Sequence, residues 1–298
     1  MPSGVVLGVA TAVSWGTSDF IARFAIRTTG VVRALFGVQV WGALLLTILL
    51  LFAGDWGHLF DGSGWPPWAW GIAAGSINTG AMLALYRAFS VGKMAVVAPI
   101  SAGYPALTVL LSAFSGERFP LCRALGILAT LAGVILVAAS EKSPQSTPTS
   151  PAAEPRNPVR NSTSILWALA AALGFGILFW LLGTRIIPRT GALATIWMIR
   201  VTGTFITLAI LLAQKTSLRV KNKRAGAQLY CMGFFDTAAF TLSNLGMRIE
   251  QVAIVSVLGS LYGAVTVVLS ALFLRERIAA LQWLGIVSIF SGIILMNR

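Results

Sequence analysis

Long apolar runs separated by short polar segments dominate the chain. Because the hydrocarbon core of a bilayer is ~30 Å thick, one helix needs about 20 apolar residues to cross it. Short connections predict that neighbouring helices pack antiparallel. The pattern therefore predicts an all-α integral membrane protein with ten transmembrane helices, numbered here as spans 1 to 10. The spans are predicted at residues 4–26, 33–53, 66–89, 92–114, 120–139, 163–185, 191–213, 226–248, 250–273 and 278–297.

Composition supports a bilayer as the solvent. Of the 298 residues, 57% are hydrophobic and only 10% are charged, whereas soluble domains carry about 25% charged residues. The net charge of +13 could indicate a nucleic-acid partner. Since the basic residues lie between apolar runs, they are typical of loops beside membrane spans, and we expect no nucleic-acid partner.

One connection differs from the others. Residues 140–163 hold five of the twelve prolines and little that could form a core, which is typical of a disordered or extended linker. It separates a first five-span repeat, residues 1–139, from a second, residues 164–298.

The two halves share sequence. "LGILATLAGVIL" (125–136) matches "LGIVSIFSGIIL" (284–295) at an offset of 159, and "YPALTVLLSA" (104–113) matches "YGAVTVVLSA" (262–271) at 158. The offset of 158 also relates Asn78 to Asp236, and 160 relates Trp15 to Phe175. Spans 2 and 7 align poorly. Because each repeat has an odd number of spans, the pattern predicts two inverted five-helix repeats around a central cavity.

Loop charge predicts the orientation. The loops after odd-numbered spans carry fifteen lysines and arginines, and those on the other side carry six. The positive-inside rule then places the odd loops in the cytoplasm and both termini outside.

The duplicated pattern resembles the drug/metabolite transporter superfamily, in particular its ten-helix EamA-type members. The residues that carry the resemblance are "WGTSDF" in span 1, "VAPISAGYPALTVLLSAFSGERF" through span 4 and "LGILATLAGVILV" in span 5, with their echoes in spans 9 and 10. Within that family the chain is most similar to YddG-type exporters of aromatic and other neutral amino acids. The resemblance implies alternating access, a multi-pass protein of the bacterial inner membrane, and both termini in the cytoplasm, against the loop charges.

Two stripes of side chains form the first candidate site. Asp236, Phe240 and Asn244 share one face of span 8 at a spacing of four residues. Polar groups at that depth should face a cavity or another helix, so the stripes either line a cavity or hold the bundle together. The corresponding stripe on span 3 consists of Asn78, Met82 and Tyr86.

Charged residues inside spans are candidates for coupling or for ion pairs. Arg200 in span 7 and Asp236 in span 8 lie at depths that differ by ~6 Å across a hairpin, which favours a pair slightly. If they pair, Asp236 is mainly structural; if not, a proton-linked role opens. Asp19 lies four residues before Arg23, which favours a local ion pair. The small multidrug members of the superfamily couple transport through a first-helix carboxylate, so Asp19 is also a coupling candidate.

Spans 4 and 9 contain residues that loosen helices. Pro99, Ser101 and Pro105 predict a kinked span 4, and Ser256 and Ser260 lie on a small-residue face of span 9. Such segments indicate a binding site or close helix contact. The resemblance places further aromatic candidates around the cavity: Trp15, Tyr104, Phe175, Phe179 and Trp180.

No enzymatic constellation is present in the sequence. Its only histidine, His58, lies in a loop, and no GxxxxGKS sequence exists for ATP. We therefore expect a non-enzymatic carrier without cofactor or metal, driven by an ion or substrate gradient. The expected partners are a lipid bilayer and, as the resemblance implies, a small neutral or aromatic amino acid. A multidrug or nucleotide-sugar carrier and a non-transporting scaffold or scramblase remain alternatives.

Overall fold

The computed structural model describes residues 4–114, 121–142, 158–218, 220, 222–249, 258–274 and 278–296, which form helices joined by loops. The helices are α1 (Gly4–Thr29), α2 (Val31–Ala53), α3 (Pro66–Val91), α4 (Met94–Ala102), α5 (Pro105–Phe114), α6 (Leu121–Lys142), α7 (Pro158–Leu181), α8 (Ile187–Thr190), α9 (Ala192–Ala213), α10 (Lys223–Ile249), α11 (Tyr262–Phe273) and α12 (Ala280–Met296).

The helices differ from the predicted spans mainly where their backbones break. Span 4 consists of α4 and α5, which meet at Gly103 and Tyr104, in agreement with the predicted kink. Pro105 begins α5, because a proline fits the first turn of a helix and not its interior. The described part of span 9 has a similar interruption at Leu261, just before α11. In span 6, a π-helical turn over Leu182–Ile186 separates α7 from α8.

The ends of α6 and α7 lie within the stretch predicted as a linker. α6 continues to Lys142 and α7 begins at Pro158. Residues 143–157 are outside the described residues.

Apolar side chains cover much of the outer surface. Large exposed hydrophobic residues occur on α2, α6, α7 and α12, for example Ile48, Leu128, Leu173 and Val287. By length and composition, three described helical segments could cross a membrane: Val31–Ala53, Ser162–Thr190 and Ala192–Ala213. α1, α3 and α10 are at least as long as α2 but less apolar, since they carry buried polar residues such as Asp19, Asn78 and Asp236.

The main helix contacts between the two halves occur in pairs that the sequence repeat relates: where two of these helices touch, their counterparts in the opposite halves also touch. α1 packs against α10, and α7, the counterpart of α1, packs against α3, the counterpart of α10. In the same way, α1 contacts α11 while α7 contacts α4 and α5. α6 packs against its own counterpart α12 through glycines. A Cβ at Gly133 would approach the Gly285 carbonyl oxygen to 2.5 Å, and one at Gly292 would come equally near the Gly126 oxygen.

Individual hydrogen bonds between the halves also occur in repeat-related pairs. The Thr266 hydroxyl donates to the Gly16 carbonyl at 3.3 Å, and the Thr108 hydroxyl donates to the Gly176 carbonyl at 3.1 Å. Thr108 and Thr266 are counterparts at an offset of 158, and Gly16 and Gly176 at 160. Two equivalent hydrogen bonds therefore join the halves at related positions.

Spans 2 and 7, which align poorly in sequence, correspond at an offset of 161. Gly42 of α2 lies against Arg200 and Thr237, and Gly203 of α9 lies against Gln39 and Thr79. Thr79 and Thr237 are counterparts at the offset of 158, so these equivalent contacts relate Gly42 to Gly203 and Gln39 to Arg200. The sequence signal is weak here because the two helices keep glycine for close packing and differ in the polar side chain.

Candidate functional site

A cavity lies between the halves and receives side chains from both repeats. Its volume is about 50 Å³, enough for a few water molecules at roughly 10–15 Å³ each. Ligand pockets generally span about 300–1,000 Å³, so this conformation is contracted. The residues that line the cavity are Trp15, Asp19, Asn78, Met82, Leu85, Tyr104, Phe175, Phe179, Arg200, Asp236, Phe240 and Tyr262.

An ion pair occupies one side of the cavity. Nη2 of Arg200 donates to Oδ2 of Asp236, as the depths of these residues in spans 7 and 8 favoured. Nη1 of Arg200 donates to Oε1 of Gln39 at 3.2 Å, and the guanidinium lies 5.1 Å from the ring centroid of Phe240. Arg200 is fully buried. Its charge is therefore stabilised by a carboxylate, an amide oxygen and an aromatic face.

Asp19 and Arg23 do not form the local ion pair that their spacing favoured. Nη1 of Arg23 donates to the carbonyl oxygens of Phe89 and Gly92, at the turn between α3 and α4. Asp19 lines the cavity with 8% of its surface exposed. It has no hydrogen-bond or ion-pair partner within the described ranges. The peptide carbonyls compete successfully for Arg23 because they are the unpaired acceptors at the end of α3.

Asn78 supplies a donor without an acceptor. It is 1% exposed and lines the cavity, and its Nδ2 has no hydrogen-bond partner among the residues described. A buried amide donor that lacks an acceptor costs about 1–3 kcal/mol. An occupant with an oxygen acceptor would remove that cost.

Aromatic rings form two groups around the cavity. Trp15 meets Phe240 edge to face with ring centroids 5.1 Å apart, and Tyr262 at 6.2 Å. Tyr104 stacks on Phe179 at 4.7 Å with an interplanar angle of 18° and contacts Phe175 at 6.3 Å. Such contacts can contribute about 0.5–1.5 kcal/mol each.

Several residues predicted for the site do not line the cavity. Tyr86 and Ser260 are fully buried, and Ser101 is buried with its hydroxyl donating to the Ala98 carbonyl at 3.0 Å. Trp180 follows Phe179 by one position, so its side chain leaves α7 about 100° away from the direction of Phe179, which lines the cavity. The side chain of Asn244 and the whole of Ser256 lie outside the described residues.

Leu85 and Tyr262 line the cavity but were absent from the sequence-based set. Tyr262 could have been found, because it is the repeat counterpart of Tyr104 at the offset of 158. Leu85 has no comparable signal, since a leucine in an apolar helix is the expected residue.

The cavity combines two carboxylates, one guanidinium, aromatic rings and one amide donor that has no acceptor among the described residues. Within the described ranges, no group of three or more His, Cys, Asp or Glu side chains could hold a metal ion. The arrangement can bind a small molecule that carries charge and an apolar group.

Comparison with known proteins gives a family and a fold. A profile described as "EamA-like transporter family" matches residues 2–139 and 162–298, which is one match in each half. One solved structure, titled "Crystal structure of protein", has a TM-score of 0.66 and 17% sequence identity, covering 98% of this chain and 96% of that chain. At this identity the likeness shows the fold alone. No curated protein matches in sequence.

The duplicated match and the apolar helices identify an integral, multi-pass membrane protein whose family members are transporters and not enzymes. The chain therefore belongs to the EamA-like transporter family, within the drug/metabolite transporter superfamily.

Proposed function

We propose that this transporter exports neutral amino acids, preferably aromatic or bulky apolar ones, by alternating access. The observation that carries the proposal is the cavity between the repeats, which is lined by aromatic rings and by Asp19, a carboxylate without a partner among the residues that the structure describes. In this proposal ten helices in two inverted repeats span the bacterial inner membrane. The exchanged contacts between α1 and α10 and between α7 and α3 support that arrangement.

The polar groups of the cavity suit a zwitterion. The charges of Asp236 and Arg200 neutralise each other, so the other carboxylate that lines the cavity, Asp19, is available to receive a substrate ammonium. The Nδ2 group of Asn78, which finds no acceptor among the described residues, can donate to the substrate carboxylate. A neutral amino acid brings one cation and one anion, and its binding leaves the total charge of the site unchanged.

Asp19 is also the proposed coupling residue. A buried carboxylate without a cation is neutralised either by a proton or by the ammonium of the substrate. These two events compete at one group, which is how a proton gradient could drive export. Asp236 has a structural role in this proposal, because Arg200 fixes it.

Opening of the contracted cavity would use the helix interruptions next to it. Tyr104 lies where α4 meets α5, and Tyr262 begins α11 directly after the break at Leu261. Since both tyrosines line the cavity, rotation at either break would change its width. The two breaks are related by the repeat, so one would open each side in turn.

Transport in proteoliposomes tests the proposal. Purified protein is reconstituted, and uptake of radiolabelled phenylalanine, tryptophan, methionine and threonine is compared with uptake by empty vesicles. We expect uptake of phenylalanine and tryptophan above the empty-vesicle rate, and its loss in Asp19→Asn. If none of the four amino acids crosses faster than in empty vesicles, the amino-acid proposal is wrong.

A further inference from the structure

The two repeats contribute unequally to the charge of the cavity. Its charged residues Asp19, Arg200 and Asp236 lie on α1, α9 and α10. α10 contacts both α1 and α9. The repeat offsets of 160, 161 and 158 relate these three residues to Phe179, Gln39 and Asn78, respectively. Each charged residue therefore corresponds to a neutral one.

Phe179 is the most consequential of these replacements. It occupies the position on α7 that Asp19 occupies on α1, and both side chains line the cavity. Its ring stacks on Tyr104, which in turn contacts Phe175. The repeat-related positions on α1 and α7 thus hold a carboxylate, Asp19, and an aromatic ring, Phe179, which stacks on Tyr104 of the first repeat.

We propose that this broken symmetry fixes the orientation of the substrate and that Phe179 determines its specificity. This inference rests on the proposed function and adds an assignment of subsites. The ammonium group binds at Asp19, and the apolar side chain binds against the Phe179 and Tyr104 stack. With an aspartate at both positions the cavity would require two cationic centres, whereas the actual residues require one cation and one apolar group.

The proposed subsites predict different affinities for two analogues of phenylalanine, each of which lacks one charged group. 2-Phenylethylamine keeps the ammonium and the ring of phenylalanine, so it retains both proposed subsites. 3-Phenylpropionate keeps the ring and the carboxylate, so it brings a second anion beside Asp19 without a cation. Loss of the ammonium, which leaves the Asp19 carboxylate buried without a cation, should therefore weaken binding more than loss of the substrate carboxylate.

Substitution of Phe179 tests the specificity assignment. For Phe179→Leu we expect kcat/KM for phenylalanine and tryptophan to fall by roughly two- to ten-fold relative to methionine and threonine, the size of one lost aromatic contact. Phe205→Leu on α9 is the matched control, because Phe205 is 66% exposed on the outer surface. An equal loss for all four amino acids in Phe179→Leu would overturn the assignment.

Ligand binding to the detergent-purified protein tests the orientation independently of transport. Thermal stabilisation is titrated with phenylalanine, 2-phenylethylamine and 3-phenylpropionate. We expect the amine to bind within about ten-fold of phenylalanine, the acid to bind at least about a hundred-fold more weakly, and Asp19→Asn to lose the preference for the amine. Equal binding of acid and amine would overturn the orientation. Binding in this order without transport in vesicles would reject the export proposal and keep the subsite assignment, whereas no binding by any ligand would reject both.

Discussion

Arg200 of α9 and Asp236 of α10 form a buried ion pair that faces the cavity between the two repeats. The guanidinium is fully buried and also donates to Gln39 of α2 at 3.2 Å. Three helices are therefore tied together by one cation. Because the pair neutralises itself, it leaves Asp19 as the cavity carboxylate without a partner among the described residues.

Removing one partner of this pair should destabilise the protein more than removing both. Arg200→Met leaves the Asp236 carboxylate buried without its cation, at a cost of about 3–5 kcal/mol. The double variant Arg200→Met/Asp236→Leu removes both charges and should recover most of that loss. Thermal unfolding in detergent measures the difference, with Arg87→Met on the exposed face of α3 as the control. A double variant less stable than Arg200→Met would contradict the pairing.

Gly42 and Gly203 should be necessary for the close packing of α2 and α9, because polar side chains occupy the space beside each glycine. A Cβ at Gly42 would approach Oγ1 of Thr237 to 2.8 Å and Cδ of Arg200 to 2.9 Å, and one at Gly203 would approach Cδ of Gln39 to 2.6 Å. We expect Gly42→Ala and Gly203→Ala each to destabilise by about 1–3 kcal/mol through overpacking.

Gly80→Ala is the matched control for these substitutions, because nothing lies within 4 Å of a Cβ at that position. Alanine there should be neutral or stabilising by up to about 1 kcal/mol. The same thermal unfolding assay compares all three variants. If Gly42→Ala and Gly203→Ala behave like the Gly80→Ala control, the close approach of the helices is wrong.

The loop between α2 and α3 should contribute to stability in a pH-dependent way. Hydrogen bonds from Ser63 and from His58 lower the pKa of Asp61 from 3.8 to about 2. The loop also contacts the end of α8, where the backbone N–H of His58 donates to the Thr190 carbonyl at 3.1 Å. A lowered folded pKa stabilises the protein above pH ~3.8, and that contribution is lost as pH falls through about 2.

Comparison of wild type with Asp61→Asn isolates this contribution. The difference between their thermal midpoints should be constant above pH ~4 and should disappear as the pH approaches 2. Other carboxylates titrate equally in both proteins, so they cancel. A difference that stays the same from pH 5 to pH 2 would contradict the assignment to Asp61.

Sequence patterns predicted the elements of the fold that depend on local apolar composition and on the repeat. The kink of span 4 followed from Pro99 and Pro105, whose effect on a helix is local. The π-helical turn at Leu182–Ile186 was not predicted. The residues that face the cavity in spans 3 and 8 were predicted where a polar group stood in an apolar helix, as with Asn78 and Asp236.

Side-chain partners were less accessible from sequence. The spacing of Asp19 and Arg23 favoured a local pair, but the carbonyl oxygens of Phe89 and Gly92 accept the Arg23 hydrogen bonds instead. These acceptors belong to a turn almost 70 residues away, so helical spacing could not reveal them. Gln39 was overlooked for a similar reason, since its partner Arg200 lies in the other repeat.

Cysteine accessibility tests the central claim, that a polar cavity between the repeats holds the substrate. Met82→Cys and Phe240→Cys, counterparts that line the cavity, are made after Cys122 and Cys231 are replaced by alanine. Leu173→Cys on the exposed apolar surface of α7 is the control. The account predicts that a charged, membrane-impermeant thiol reagent modifies both cavity cysteines, that phenylalanine slows this modification, and that the control does not react. Cavity cysteines as unreactive as Leu173→Cys, or modification that phenylalanine leaves unchanged, would contradict it.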